Sequence, residues 1–186
     1  MSPEERPEIL MPVIRAAVPD DAPAIARIDK ETWLATYPND PFGITYEDVE
    51  AKIKDWESPE AIALMKEKLS AEDPNTLRLV AEVNGEVVGH SRLYKMVQGP
   101  NKLQTIYVLP QYQGRGLGRK LAQQGLEWLG SDKDIALEVA QYNEQAIHFY
   151  ESLGFTIAGE AHEPIAQMPS GKTFPEYRML RKSGIS

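Results

Sequence analysis

The sequence predicts a mixed α/β domain, α/β or α+β in class, built around one central sheet. Three observations carry that reading. Extended apolar runs and helical repeats interleave along the whole chain. Asn84-Gly85 joins two extended runs, "LRLVAEV" and "EVVGHSRLYKM", in the strongest short-range hairpin signal a sequence offers. At 186 residues, 42% apolar and 26% charged, the chain is long enough to fill one core and ordinary for a globular protein.

The first 11 residues read as a flexible tail, and residues 12–183 as a single domain. "VIRAAV" (13–18) is a short strand. "PDD" then offers acidic N-caps for a helix over 22–37, "APAIARIDKETWLATY", which Pro38 and "NDPFG" end. On that helix Ile25, Ile28, Thr32 and Ala35 form one stripe, with Trp33 and Tyr37 set to one side of it. Two shorter helical patterns follow at 46–56 and 58–69. Beyond the hairpin, "LQTIYVL" (103–109) is a strand stopped by Pro110, and Leu117, Leu121, Gly125 and Trp128 recur at helical spacing. "DIALEVA" (134–140) is a strand and "NEQAIHFYESL" (143–153) a helix stopped by Gly154. "FTIAGEAH" (155–162) and "FPEYRMLRK" (174–182) close the chain as strands.

Composition narrows the function classes. No stretch approaches the roughly 20 apolar residues of a membrane span, and the acidic, proline-bearing start does not read as a signal peptide. Cysteine is absent, so neither disulfides nor thiolate metal sites contribute. A soluble, cytoplasmic protein is expected. The net charge of −8 argues against broad nucleic-acid binding and mildly favours a cationic partner, although solubility alone also accounts for it. His90, His148 and His162 show no ligand spacing, so no metal site is read.

Three glycine motifs compete as phosphate sites. The dinucleotide fingerprint fails, because its third glycine would fall on Arg119 or Leu121. "AQMPSGKT" (166–173) matches a relaxed P-loop, but the residues after it alternate like a strand where a helix is required, so a surface turn is expected. The remaining run, Gln113-Gly114-Arg115-Gly116-Leu117-Gly118, follows a strand and opens a helix. Its bare backbone lets N–H groups converge on an anion, and Arg115, Arg119 and Lys120 add positive potential. A glycine-rich turn with solvated basic residues satisfies the same six residues, and alone they leave the two readings open.

This stretch resembles the acetyl-CoA-binding loop of the GNAT superfamily of N-acetyltransferases, Q/R-x-x-G-x-G/A. "NEQAIHFYESLGF" (143–155) resembles the family's second motif, N-x-x-A-x-x-x-Y-x-x-x-G-F, with "LEV" (137–139) in front of it. The element order matches along the whole chain. The resemblance implies a mostly antiparallel, twisted sheet of six to seven strands with splayed middle strands, flanked by four to five helices. It also implies acetyl-CoA as cosubstrate, its pyrophosphate on the amides of residues 114–119 and its pantetheine arm along the backbone of Tyr107 and Val108. Asn143 matches a cofactor-contacting position, and its residue type equally suits a helix N-cap.

Aminolysis of a thioester needs a base for the ammonium and an acid for the leaving sulfur. Tyr150 matches the family tyrosine that supplies the acid, although a Tyr beside Phe149 on an apolar helix is by itself an ordinary core residue. Glu138 interrupts an apolar strand and is the candidate base, as in ribosomal-protein-type members. A solvent-facing or salt-bridged glutamate is the alternative. Trp33 and Tyr37 sit where the family's acceptor cleft lies and are candidates for holding an amine by cation–π attraction, with Asp40, Glu47 and Asp48 as steering charges. "ETWLATYP" resembles the polyamine and diamine acetyltransferase subgroup. The expected acceptor is therefore a small amine or polyamine, with a protein N-terminus or a non-catalytic acetyl-CoA sensor as alternatives and a homodimer left open.

Overall fold

The computed structural model describes residues 12–161 and 166–184. The N-terminal tail and His162 lie outside the described residues. Seven strands form one sheet: β1 (Val13–Ala16), β2 (Thr76–Val83), β3 (Glu86–Tyr94), β4 (Asn101–Val108), β5 (Ile135–Ala140), β6 (Thr156–Glu160) and β7 (Glu176–Arg181), in the order β1-β2-β3-β4-β5-β7-β6. Five α-helices flank it: α1 (Ala22–Thr36), α2 (Tyr46–Ile53), α3 (Pro59–Ser70), α4 (Leu117–Leu129) and α5 (Glu144–Glu151). Among the described residues, no helix is long and apolar enough to cross a membrane.

Local chemistry accounts for the boundaries. Asn84 and Gly85 both take positive φ, 51° and 82°, as a tight two-residue hairpin requires. The Thr45 and Ser58 hydroxyls cap α2 and α3 by accepting the Asp48 and Ala61 N–H groups. Asp21 holds the expected N-cap position of α1, but its side chain makes no bond to the helix. Pro19–Asp21 forms a 3-10 turn, and the buried Asp21 carboxylate accepts the Val18 N–H at 2.8 Å while Arg15 grips it at 2.7 and 2.9 Å. Ala35 is exposed, so the α1 stripe runs through Ala22, Ile25, Ile28 and Thr32 with Trp33 also buried. On α4, Leu117, Leu121, Gly125 and Leu129 form the buried face, and Trp128 lies at its margin under Lys95. Residues 166–173 form a turn closed by a Gln167–Thr173 bridge, with no helix after it, as the failed P-loop reading requires.

One feature of the sheet positions the site. All pairings are antiparallel except β4–β5, which are parallel and stay together for only two residue pairs, Asn101–Ile135 and Lys102–Ala136. The register of β4 against β3 slips just there: Leu93 opposes Leu103, then Arg92 opposes Thr105, so Gln104 is an extra residue. A bulge bends its strand and increases the local twist. It turns the end of β4 away from β5, and the two strands open into a V.

Candidate active site

The V is a cleft of about 840 Å³. Its walls are the ends of β4 and β5, the N-terminus of α4, one face of α5, and α1 with α3. The sheet thereby brings together residues that the sequence holds more than a hundred positions apart.

At one mouth lies the glycine run. Gly116 is the N-cap of α4 with φ of 79°, and no side chain caps the helix. Its first N–H groups are therefore free to meet an anion, at the positive end of the helix dipole. Gly118 differs from Gly114 and Gly116, because its φ lies outside the left-handed region. A Cβ there would meet Phe149 at 3.8 Å and Ile106 at 4.0 Å, ordinary contacts. Neither strain nor crowding within the chain demands glycine at 118, and Gly118 lines the cleft. Leu117 is buried beneath the loop. Arg119 reaches the Ser152 hydroxyl at 2.8 Å, whereas Arg115 leans over the Tyr112 ring and does not line the cleft. The Gln113 side-chain amide donates to the Val108 carbonyl at 2.9 Å, on the strand end that borders the gap.

Deeper in, Tyr150 projects from α5 against Phe149 and Phe155. Burial pushes its hydroxyl well above the usual tyrosine range, so it holds its proton, and no described residue hydrogen-bonds it. A protonated donor without a protein partner, facing a cleft, is equipped to give its proton to something that binds there. Asn143 caps α5 by accepting the Ala146 N–H at 3.1 Å and also lines the cleft.

Glu138 lines the cleft as well, but its carboxylate is ion-paired with Lys102 at 3.0 Å. Sequence reasoning missed a second carboxylate. Asp29 of α1 faces the cleft and is hydrogen-bonded to His90 of β3 at 2.7 Å. The His90 ring stands edge-on to Tyr107, whose hydroxyl accepts the Trp33 indole N–H and contacts the Tyr37 hydroxyl, each at 3.2 Å. Residues 61 positions apart leave no local pattern, so this network was invisible before the sheet assembled.

Trp33 and Tyr37 do wall the cleft, yet they are also core. Trp33 is 6% exposed, with Tyr37, Trp56 and Phe174 around its ring, and Tyr37 stacks on Phe174 at 4.7 Å. Asp40, Glu47 and Asp48 do not line the cleft, and Asp48 is bonded to Ser170.

A mostly antiparallel sheet opened at its one parallel pair, with an uncapped helix end at one mouth and a protonated tyrosine inside, is the architecture of an acyltransferase. The chain belongs to the GNAT acetyltransferase family, whose model matches residues 25–155. It is 30% identical over 176 residues to YjgM, an uncharacterized N-acetyltransferase of Escherichia coli strain K12, covering 92% of this chain and 95% of that one. It is 33% identical over 93 residues to the spermidine N(1)-acetyltransferase of the same strain, a match covering 47% of this chain and 50% of the relative. In fold it resembles the PaiA N-acetyltransferase of Thermoplasma acidophilum, solved in complex with coenzyme A, with a TM-score of 0.67 at 19% identity over 93% of this chain and 99% of that one.

Proposed function

We propose that this protein transfers the acetyl group of acetyl-CoA to the primary amine of a small molecule, by direct attack in a ternary complex. The observation that carries the reading is the pairing of the uncapped α4 N-terminus with Tyr150 across one cleft. The residues fit the cosubstrate. The amides of residues 114–119 are set to take the pyrophosphate, and Gly118 keeps its side of the cleft bare. The strand ends at Tyr107 and Val108, which β5 leaves unpaired, offer backbone groups to the pantetheine arm, with the Gln113 amide already on the Val108 carbonyl. Asn143 borders the same passage.

The chemistry needs two proton transfers. The amine nitrogen forms a bond to the acyl carbon, the carbon–sulfur bond breaks, and Tyr150 hands its proton to the departing sulfur. The amine's proton goes to a carboxylate in the cleft wall. Glu138 is the proposed acceptor, with Lys102 as its ion-pair partner. Asp29, held by His90, is the second reading, favoured by its place on the α1 wall where the acceptor enters. Trp33 and Tyr37 shape that end of the cleft through the Tyr107 hydroxyl. The walls contributed by α1, α3 and Trp56 enclose a volume suited to a small molecule.

The test is release of the coenzyme A thiol with a panel of small amines and, separately, peptide N-termini. We expect turnover with small amines, lowered by about 10²–10⁴-fold in Tyr150→Phe with acetyl-CoA affinity little changed. Comparing Glu138→Gln with Asp29→Asn identifies the base by which variant loses the acidic limb of the pH profile. Turnover with peptides alone replaces the small-molecule reading, binding without turnover points to a sensor, and full activity of Tyr150→Phe removes its role.

A further inference from the structure

The cleft has an arm between α3 and the sheet whose charge contradicts a polycationic acceptor. Its cations are Arg92 on β3 and Lys68 on α3, with Lys52 of α2 further along the same cleft. None of the three has an anionic partner among the described residues. Both carboxylates of the cleft are already engaged, Asp29 with His90 and Glu138 with Lys102. The net charge of −8 therefore belongs to other surfaces, and the acceptor side of this cleft is positive.

Arg92 is the centre of the arm. It is half-buried, and its Nε is inaccessible and without a hydrogen-bond partner. Its guanidinium carbon lies 6.0 Å from the centre of the Tyr94 ring. Directly across the hairpin stands Arg78, also half-buried. Burial, and then the Arg92 charge, pushes the Arg78 guanidinium below its ordinary range. Like charges directly opposed on neighbouring strands are destabilising. Asp73 is the one carboxylate whose charge acts on Arg78, but it forms no ion pair with it and is bonded instead to the Asn75 N–H and the Thr76 hydroxyl. On its other side Arg92 opposes Thr105, one residue beyond the bulge that opens the V. The guanidinium thus stands beside the point where β4 and β5 part. The Thr32 hydroxyl, buried and unpaired, lines the same cleft as a further donor.

We propose that this arm is a binding site for a carboxylate carried by the acceptor, held by Arg92 with Arg78 behind it and Lys68 at its rim. The acceptor is then an amine of the amino-acid type, its nitrogen at the gap between β4 and β5 and its carboxylate on Arg92. A guanidinium presents paired donors that match a carboxylate, which is the chemistry of the choice. The inference rests on the acetyltransferase reading for the amine and on the arm alone for the carboxylate, and the experiment separates the two.

The full-length protein is assayed with matched pairs: amino acids against the corresponding amines with the carboxylate amidated or removed, and spermidine. The carboxylate-bearing member is expected to show at least about tenfold higher kcat/KM than its mate, and Arg92→Met is expected to collapse that ratio while Arg92→Lys retains part of it. Each ratio is taken within one variant, so a general loss of activity does not imitate the result. Spermidine or the uncharged mates used as well as the carboxylates would overturn the proposal, as would a ratio unmoved by Arg92→Met. Calorimetry reads the arm independently of turnover, with the amino acids titrated into acetyl-CoA-saturated protein. Binding that Arg92→Met removes supports the arm even if no acetyl transfer occurs, which would count against the transferase reading only. No binding to the unaltered protein overturns the arm.

Discussion

Gly118→Ala separates what the chain needs from what its cosubstrate needs. Gly118 is the second residue of α4, with a backbone any residue adopts and only van der Waals neighbours around an added Cβ, Phe149 at 3.8 and 3.9 Å and Ile106 at 4.0 Å. Within the chain the substitution is favourable. Replacing a helical glycine by alanine is worth roughly 0.5–1 kcal/mol, somewhat less near a helix end. For a protein of this size that raises Tm by about 1–4 °C. The same methyl stands in the cleft wall where the pyrophosphate must approach the backbone. Losing even one good amide contact to a charged oxygen weakens binding by at least about tenfold, or ~1.4 kcal/mol. Gly118→Val should do so more severely. Thermal melts without ligand and calorimetry with acetyl-CoA read the two effects separately. Gly116→Ala is the contrast, because φ of 79° strains any other residue and both stability and affinity should fall. A raised Tm with unchanged acetyl-CoA affinity in Gly118→Ala would refute the pyrophosphate assignment. A lowered Tm would show that the chain itself requires the glycine.

Gly125→Val tests packing, since its Cβ would come within 2.7 Å of the fully buried Leu93 side chain. Overpacking of this kind costs about 1–3 kcal/mol, and a urea midpoint left unmoved would contradict the close approach of α4 to β3. Four tyrosines govern the alkaline limb of stability. Burial raises Tyr37, Tyr142 and Tyr150 above the ordinary tyrosine value of 10.0 and pushes Tyr107 up to about 12. Below pH 10 both states keep these protons. Above it the unfolded chain releases them first, so stability falls as pH rises through this window, by up to about 1.4 kcal/mol per pH unit for each tyrosine. Spectrophotometric titration should show four of the eight tyrosines ionising only with unfolding. Eight normal tyrosines in the folded protein would remove this argument.

Much of the fold was readable because its signals are local. Asn84-Gly85 encodes a turn in two residues, Pro110 and Gly154 stop their elements, and the glycine run with the Asn143 to Phe155 motif carries its own spacing. Backbone conformation and side-chain periodicity act between near neighbours, so they survive in a one-dimensional record. The sheet order, the bulge at Gln104 and the depth of the V arise from pairing between distant strands, and these could be anticipated only through resemblance. The site divides in the same way. The motifs singled out Tyr150 and Gly118, which line the cleft, whereas only packing could couple Asp29 to His90, commit Glu138 to Lys102, or set Arg92 against Arg78 without an ion pair. Net charge is a sum over the whole surface and carries no address. The sequence is acidic, yet Arg92, Lys68 and Lys52 line the cleft without ion pairs, and alternation along β2 and β3 sets Arg78 on the same face as Arg92.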